Sequence, residues 1–506
     1  MRTKNSIKNS IFGIGGQAIN TLLSFISRTI FITMLGADYL GVNGLFSNIL
    51  SMLSLAELGI GSAIIYNMYR PLAEGDERKL KALMSLYEKS YKIIGITIAI
   101  VGCLISPYLS YIIKDTPNIP NLIIIYLMFL MNSVVSYFYI YKSSIIMADQ
   151  KNYIITVRQQ IFTVLQVILQ IVVLYITKNY LAYLLIQIIC TFLMNFSISK
   201  KADKMYPFLK SKNKEKLDSN EKKIIFKHVS ATMSHKVGGV VVNGTDNILM
   251  SKFVGVYWVG LYSNYYMIIS IINRFVGQIF TAITASVGHL NVKESKEKSY
   301  DVYKKILFIN FWIYGFCSIS LLSLFNPFIK LWLGDKFLLS SGIVVLIVTN
   351  FYLTGMRQST ITYNSTLGLF WNDRYKPWIE ACINMIASII LLKKLGISGV
   401  FLGTLISSVT TSVWVDPYIL FKHGFNRNLS DYFKQYLKYM LITIISAVST
   451  YKLNTLINGN SIGIFIVKCI LTFIIPNLIF IVLTFKTDEF KYTKSMILGI
   501  VKRKSI

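Results

Sequence analysis

Seven cationic side chains, Arg28, Lys142, Arg158, Lys236, Arg274, Arg357 and Lys468, stand inside long apolar runs of this 506-residue sequence. A charge so placed needs a counter-ion, water or a ligand, because holding it at the centre of a bilayer costs about 2.5–3.5 kcal/mol even on lenient insertion scales. Lys142 and Arg158 lie near the ends of their runs, where a long side chain snorkels to the interface, and Lys468 in the last run reads as a similar anchor. The other four are deeper. Glu57 and Asp246 are the deep acids, while Glu380 and Asp416 lie closer to run ends. Four deep cations against two deep anions leave a positive interior, and guanidinium groups match phosphate oxygens bidentately, so the chemistry on offer is anion binding. The competing reading is structural pairing, with Glu57 holding Arg28 or Arg274 and Asp246 holding Lys236. A buried pair that exchanges its carboxylate for an anionic ligand would join the two readings in one two-state element.

His235 is next to Lys236 and eleven residues before Asp246, which puts the imidazole and the carboxylate on one helix face. The pair offers a proton-titrating group, and Glu57 and Asp246 are candidate proton or sodium sites; the plainer reading of His235 is a hydrogen-bonded member of a polar stripe. No cofactor is expected. The five cysteines fall inside apolar runs without paired spacing, so neither a disulfide frame nor a metal site is indicated. There is no Walker loop, no H-E-x-x-H and no G-x-S-x-G elbow, so the expectation is a protein that is not an enzyme.

The elements that must position these groups follow from composition. The chain is 54% hydrophobic and 15% charged with a net charge of +29, well below the ~25% charged residues of soluble proteins. A membrane protein is the consequence. Fourteen apolar stretches are long enough to span a bilayer: 9–33, 40–66, 93–113, 121–147, 154–177, 181–198, 228–251, 258–289, 306–329, 342–369, 377–392, 399–421, 439–457 and 462–485. With both termini in the cytoplasm, 37 of the 52 Lys and Arg residues fall in inside segments and 8 in outside ones, as the positive-inside rule requires. The same distribution argues against nucleic acid as a partner, since the basic runs are loops between spans and face anionic lipid.

Span one overlays span seven at an offset of 219: Gly36 and Gly41 fall on Gly255 and Gly260, Gln17 on Lys236, Ser24 on Asn243 and Arg28 on Asn247. Gln17, Ser24 and Arg28 share one helix face, and so do Lys236, Asn243 and Asn247. After a three-residue gap Ser47-Asn48 falls on Ser263-Asn264, Ser54 on Ser270, Glu57 on Asn273 and Gly61 on Gly277. The expected architecture is therefore an all-α polytopic membrane protein of about 14 transmembrane helices, with two pseudo-symmetric six-helix lobes and two C-terminal helices. The expected boundaries are a lobe over 1–198, a basic linker over 199–227, a second lobe over 228–421, the appended helices over 432–486 and a cytoplasmic tail over 487–506. Parallel repeats of this kind place substrate between the lobes and rock about it.

The segment from Gly44 to Gly61, GLFSNILSMLSLAELGIG, runs into YRPLA at Tyr69 to Ala73. With the fourteen-span pattern, it resembles the polysaccharide transporters of the Wzx flippase type, in the MOP superfamily with the MATE exporters and the lipid II flippases. The resemblance implies a bacterial plasma-membrane flippase that moves undecaprenyl-pyrophosphate-linked oligosaccharide repeat units to the outer leaflet, for capsule, O-antigen or exopolysaccharide synthesis. It implies membrane lipids, a polysaccharide polymerase and glycosyltransferases as candidate partners. Arg28, Lys236, Arg274 and Arg357 would then meet the pyrophosphate, among the polar cavity residues Gln17, Asn243, Asn247, Asn273, His235, Glu57 and Asp246. Spans thirteen and fourteen, outside the repeat, would offer an apolar groove to the polyprenyl tail. Two alternatives stand beside this. A MATE-like drug or cation exporter would carry an acidic cavity, where span one has Arg28; a polysaccharide polymerase or ligase would need a large outside loop, and the long loops here are on the inside.

Overall fold

The computed structural model describes residues 2–54, 60–114, 119–210, 217, 218, 221, 223, 244–369 and 372–503. The described residues are 89% helical, and no strand occurs among them. In hydrocarbon a helix satisfies its backbone donors and acceptors within one segment, so apolar runs of this length have few other solutions. Each apolar stretch of the sequence falls mainly on helix where it is described, with turns at 141–142, 357, 367–368 and 411. Nine helical runs among the described residues are long and apolar enough to cross a membrane; the other stretches are broken, more polar or partly outside the described residues.

Two compact units divide the chain, Met1–Gly260 and Leu261–Ile506. The first contains α1 (Arg2–Leu35), α2 (Ala37–Leu53), α3 (Ile60–Glu74), α4 (Glu77–Ile105), α5 (Leu122–Ile140), α6 (Ser143–Ala148), α7 (Tyr153–Thr177) and α8 (Tyr180–Met205). Helical residues 244–253 and the first turn of α9 (Val256–Lys293) complete it. The expected linker 199–227 begins as the last turns of α8, and most of its remainder lies outside the described residues. Polar side chains tie the unit's helix ends together. Lys142 bonds both carboxylate oxygens of Asp203 at 2.8 Å, and the Tyr206 hydroxyl donates to Asp149 at 2.7 Å. Burial and the Asp149 carboxylate raise the Tyr206 hydroxyl well above the usual phenol range.

The repeat read from sequence has a structural counterpart. Gly36 and Gly255, 219 residues apart, both end one helix and start the next with positive φ, 92° and 126°, a conformation in which only glycine escapes a steric cost. Five residues on, Gly41 and Gly260 make a backbone contact inside the first unit. A Cβ on Gly41 would overlap the Val256 carbonyl, and a Cβ on Gly260 would overlap that of Ala37. Ala37 and Val256 are themselves 219 apart, so the two contacts exchange under the repeat.

The second unit contains most of α9, then α10 (Lys296–Leu333), α11 (Ser341–Met356), α12 (Gln358–Thr366), α13 (Lys376–Leu395), α14 (Ile397–Thr410), α15 (Ser412–Ile419), a π-helical turn (Leu420–Phe425), α16 (Leu429–Leu456), α17 (Ile462–Thr484) and α18 (Asp488–Arg503). Its centre is α10, whose apolar window is 61% buried. The two appended helices α16 and α17 pack directly on it: Phe311 stacks on Tyr439 at 4.5 Å and meets Phe480 at 4.8 Å, and Trp312 Nε1 donates to Asn477 Oδ1 at 2.8 Å. The Tyr265 hydroxyl of α9 donates to Asn326 and accepts from the Leu339 amide, while Asn326 donates to the Leu339 carbonyl, closing a buried polar ring. Residues 488–503, expected as tail, form α18, and Phe490 packs on Phe308 and Trp312.

Helices α13 and α14 form an antiparallel hairpin whose closest approach is at glycine, where a Cβ on Gly403 would overlap Ser388 and one on Gly399 would overlap the Leu391 backbone. Gly403→Val is expected to destabilise the protein by about 1–3 kcal/mol through overpacking, read as a lowered Tm in detergent. Gly342→Ala, at a helical position with open space around it, leaves Tm unchanged or raises it.

Candidate functional site

The best-defined charged site is built where a helix breaks. Arg357 occupies the turn between α11 and α12, and α12 is polar, so its carbonyls and hydroxyls face protein rather than lipid. Arg357 Nε and Nη2 both donate to Asp416 Oδ2 at 2.8 Å, and Lys376 Nζ bonds Asp416 Oδ1. Asp416 is 1% exposed. Around this core, Glu380 approaches Arg357 at 4.0 Å and accepts from Ser412 at 2.5 Å, Asp373 lies 3.7 Å from Lys376, and Asn364 donates to the Asp416 carbonyl at 3.1 Å. Two cations and three carboxylates are thus gathered from α11–α12, α13 and α15. Each Asp416 oxygen has its own cation, which is how a carboxylate is retained away from water.

Sequence spacing places Asp416 and Glu380 near helix ends and links neither to Arg357. The signal that was available is local: Lys376 and Glu380 are four apart on one face of α13. The partner on α15 is 59 residues from Arg357, and only tertiary packing brings it there.

The remaining sequence candidates sit differently. Arg28 is on α1 seven residues before its end, beside Tyr183 of α8; Phe31, one turn on, meets Tyr180 and Tyr183 edge-on at 5.5 and 5.4 Å. Gln17 Nε2 and Asn247 Oδ1 are buried and have no hydrogen-bond partner among the described residues. Asp246 is half-buried next to Asn247. Asn273 and Arg274 are exposed on α9 and are not packed into their own unit. Glu57, His235, Lys236 and Asn243 lie outside the described residues. Of the aromatic residues near these positions, Tyr265 and Tyr363 are fully buried and hydrogen-bonded to protein, and so serve packing.

A large apolar cavity of about 710 Å³ lies within the second unit between α10, α11 and α16. Leu322, Val348, Ile444 and Val448 line it, and Lys452 and Lys468 stand on its wall. Neither lysine has an ion-pair partner among the described residues. The cavity therefore borders the appended helices, with apolar walls and cations at one end.

Residues 6–284 match the family model described as polysaccharide biosynthesis protein. Among curated proteins, none matches the sequence. Three solved structures show the likeness of fold. The lipid II flippase MurJ, in an inward closed conformation, aligns with a TM-score of 0.65 at 16% identity over 93% of this chain and 98% of that one. The MATE multidrug transporter DinF-BH aligns with a TM-score of 0.59 at 16% identity, over 83% and 95% of the two chains. A MOP superfamily transporter from Pyrococcus furiosus, whose binding pocket is described as reversed in polarity, aligns with a TM-score of 0.52 at 17% identity over 82% and 94%.

Removing Asp416 takes from Arg357 and Lys376 the carboxylate that both bond closely and leaves each only a longer contact, to Glu380 at 4.0 Å and to Asp373 at 3.7 Å, whereas removing Arg357 leaves Asp416 still held by Lys376. Asp416→Asn is therefore expected to lower stability by about 3–5 kcal/mol, and Arg357→Gln by less. Thermal unfolding of both variants in detergent checks the order; equal losses would contradict the shared-carboxylate arrangement.

Proposed function

Because the chain belongs to the polysaccharide biosynthesis protein family and has the fold of the MurJ and MATE transporters, we propose that it is a flippase for lipid-linked oligosaccharides. In this reading it carries undecaprenyl-pyrophosphate-linked repeat units from the inner to the outer leaflet of a bacterial plasma membrane, with both termini cytoplasmic, by alternating access. The family match is the observation that carries the substrate class, and the helical transporter fold supports the mode of movement. Capsule, O-antigen or exopolysaccharide synthesis would be the pathway it serves.

The cations supply the mechanism. A pyrophosphate leaving water needs fixed donors in place of its hydration shell, and Arg28, Lys236 and Arg274 are assigned that role. Gln17 and Asn247, with buried polar atoms left open, stand on the stripes of Arg28 and Lys236 respectively and would complete the lining. Arg357 enters by exchange: its guanidinium already lies on one carboxylate oxygen, so a phosphate competing for it would release Asp416 to Lys376 alone, giving two arrangements of one cluster. Glu57, Asp246 and His235 remain the candidates for proton or sodium coupling. The apolar cavity beside α16 would receive part of the polyprenyl chain.

Charge reversal tests the cation assignment. Arg28→Glu, Lys236→Glu and Arg274→Glu, each confirmed as folded by size-exclusion elution and Tm, are expected to reduce translocation of a fluorescent lipid-linked oligosaccharide in proteoliposomes by about tenfold or more, the loss of at least one charge-assisted contact. Wild-type rates in all three would remove the assignment. Filling the apolar cavity with Ala447→Trp is expected to slow long-chain substrates more than citronellyl-chain analogues; equal slowing would place the tail elsewhere.

A further inference from the structure

The first unit holds a second cavity of opposite character. It measures about 280 Å³, and its lining includes Ser47 and Ser51 from α2, Ser54 capping that helix, Phe129 and Asn132 from α5 and Gln187 from α8. Further hydroxyls from α5 and α8 complete it, and no charged side chain lines it. Ser47, Ser51 and Ser54 recur at i, i+4 and i+7, one face of a helix. Helices α2 and α5 run side by side in the same direction, since Phe46 meets Tyr126 and Phe129 at 5.2 and 5.9 Å while Tyr137 bonds Ser54 at 3.0 Å. Ser47 and Asn132 each lie ten residues into their helix, about 15 Å along its axis. The polar pocket is therefore at hydrocarbon depth.

Small hydroxyl residues in membrane helices commonly serve packing, and two of these do bond their own helix: Ser54 to the Leu50 carbonyl at 2.9 Å and Ser136 to that of Ser133 at 2.6 Å. Packing alone does not account for Asn132. Its Oδ1 is out of contact with solvent and has no partner among the described residues, a costly state for a carboxamide. Nor have the small residues drawn the helices together, because space remains between them. The pocket presents what a neutral polyol requires: carboxamides and hydroxyls that both donate and accept, and an aromatic face for the C–H side of a ring. Without a cation it has nothing to neutralise the charge of a phosphate. Its volume lies just below the lower end of the ~300–1,000 Å³ range of ligand pockets, which suits one sugar residue rather than an oligosaccharide.

We propose that this pocket recognises one uncharged sugar residue of the cargo, apart from the cations assigned to the pyrophosphate. The inference rests on the flippase reading above and adds to it a basis for choosing among repeat units: a pocket lined by hydrogen-bonding groups discriminates against a cargo lacking the hydroxyls that would pair them.

Binding of short-chain probes to the purified full-length protein separates the two ideas. The probes are citronellol, citronellyl pyrophosphate, and citronellyl glycosides and pyrophosphoryl glycosides of N-acetylglucosamine, galactose and glucuronic acid. At least one neutral sugar is expected to improve affinity about tenfold over the matching sugar-free probe, roughly one well-made hydrogen bond, with and without the pyrophosphate, while glucuronic acid gives no gain. Asn132→Leu, which removes the unpaired oxygen and is expected to keep or raise Tm, should cancel that gain and leave citronellyl pyrophosphate binding unchanged. No gain from either neutral sugar, or a gain that survives in Asn132→Leu, overturns the pocket. Pyrophosphate binding no tighter than citronellol, with the gain on the neutral glycosides intact, would instead overturn the pyrophosphate reading and leave the sugar site standing.

Discussion

Everything in this molecule is arranged around the cost of an unsatisfied polar group in hydrocarbon. Backbone groups meet that cost by helix formation, and breaks occur where something else takes over. At Gly36 and Gly255 the breaks are turns that only glycine adopts freely. At Arg357 the break is surrounded by protein: Asn310 donates to the carbonyls of Gly355 and Met356 at 3.1 and 2.9 Å, and the guanidinium itself is neutralised by Asp416. A helix end with this backing is stable in the interior, where an exposed one would not be.

The same rule explains what could be read from the sequence. Hydrocarbon solvent acts on composition over about twenty consecutive residues, so spans are written locally, and the described helices fall on the apolar stretches even at the short 181–198 and 377–392. Capping chemistry is local too, as at Asp76, Asn179, Ser295 and Ser461, each accepting from an amide two or three residues on. The repeat was legible through Gly36 and Gly255 because a positive φ restricts residue type. Pairing between spans is not local. Nothing in the neighbourhood of Arg357 names Asp416, and a count of deep acids that sets Asp416 aside treats the arginine as unneutralised. The helical character of 488–503 was hidden because an amphipathic helix has no long apolar run, only a one-sided one.

Charge is therefore distributed by role within the chain. Lys142 with Asp203 and Lys305 with Asp301 fasten helix ends. The cluster around Asp416 spends three carboxylates on two cations, and so contributes no positive field of its own. Arg28, beside Tyr183, and Arg274, on an exposed face of α9, are the described cations that the proposal assigns to an anion, far fewer charges than the total of +29 implies. A neutral hydroxyl pocket and an apolar cavity lie elsewhere in the structure, so the chain offers three chemically distinct environments to an amphiphile with charged, sugar and hydrocarbon parts.

The central position of α10 bears on how the protein is made. Its buried face meets Tyr439 and Phe480, and Trp312 finds its hydrogen-bond acceptor 165 residues later, on the last membrane-spanning helix. At typical synthesis rates of about 5–20 residues per second, α10 enters the bilayer on the order of ten seconds before its partners exist. For that interval the Trp312 indole N–H must be accommodated by lipid, the insertion machinery or earlier helices. The second unit thus reaches its final packing only when α17 and α18 are complete, which makes its assembly a late, chain-length-dependent event in biogenesis.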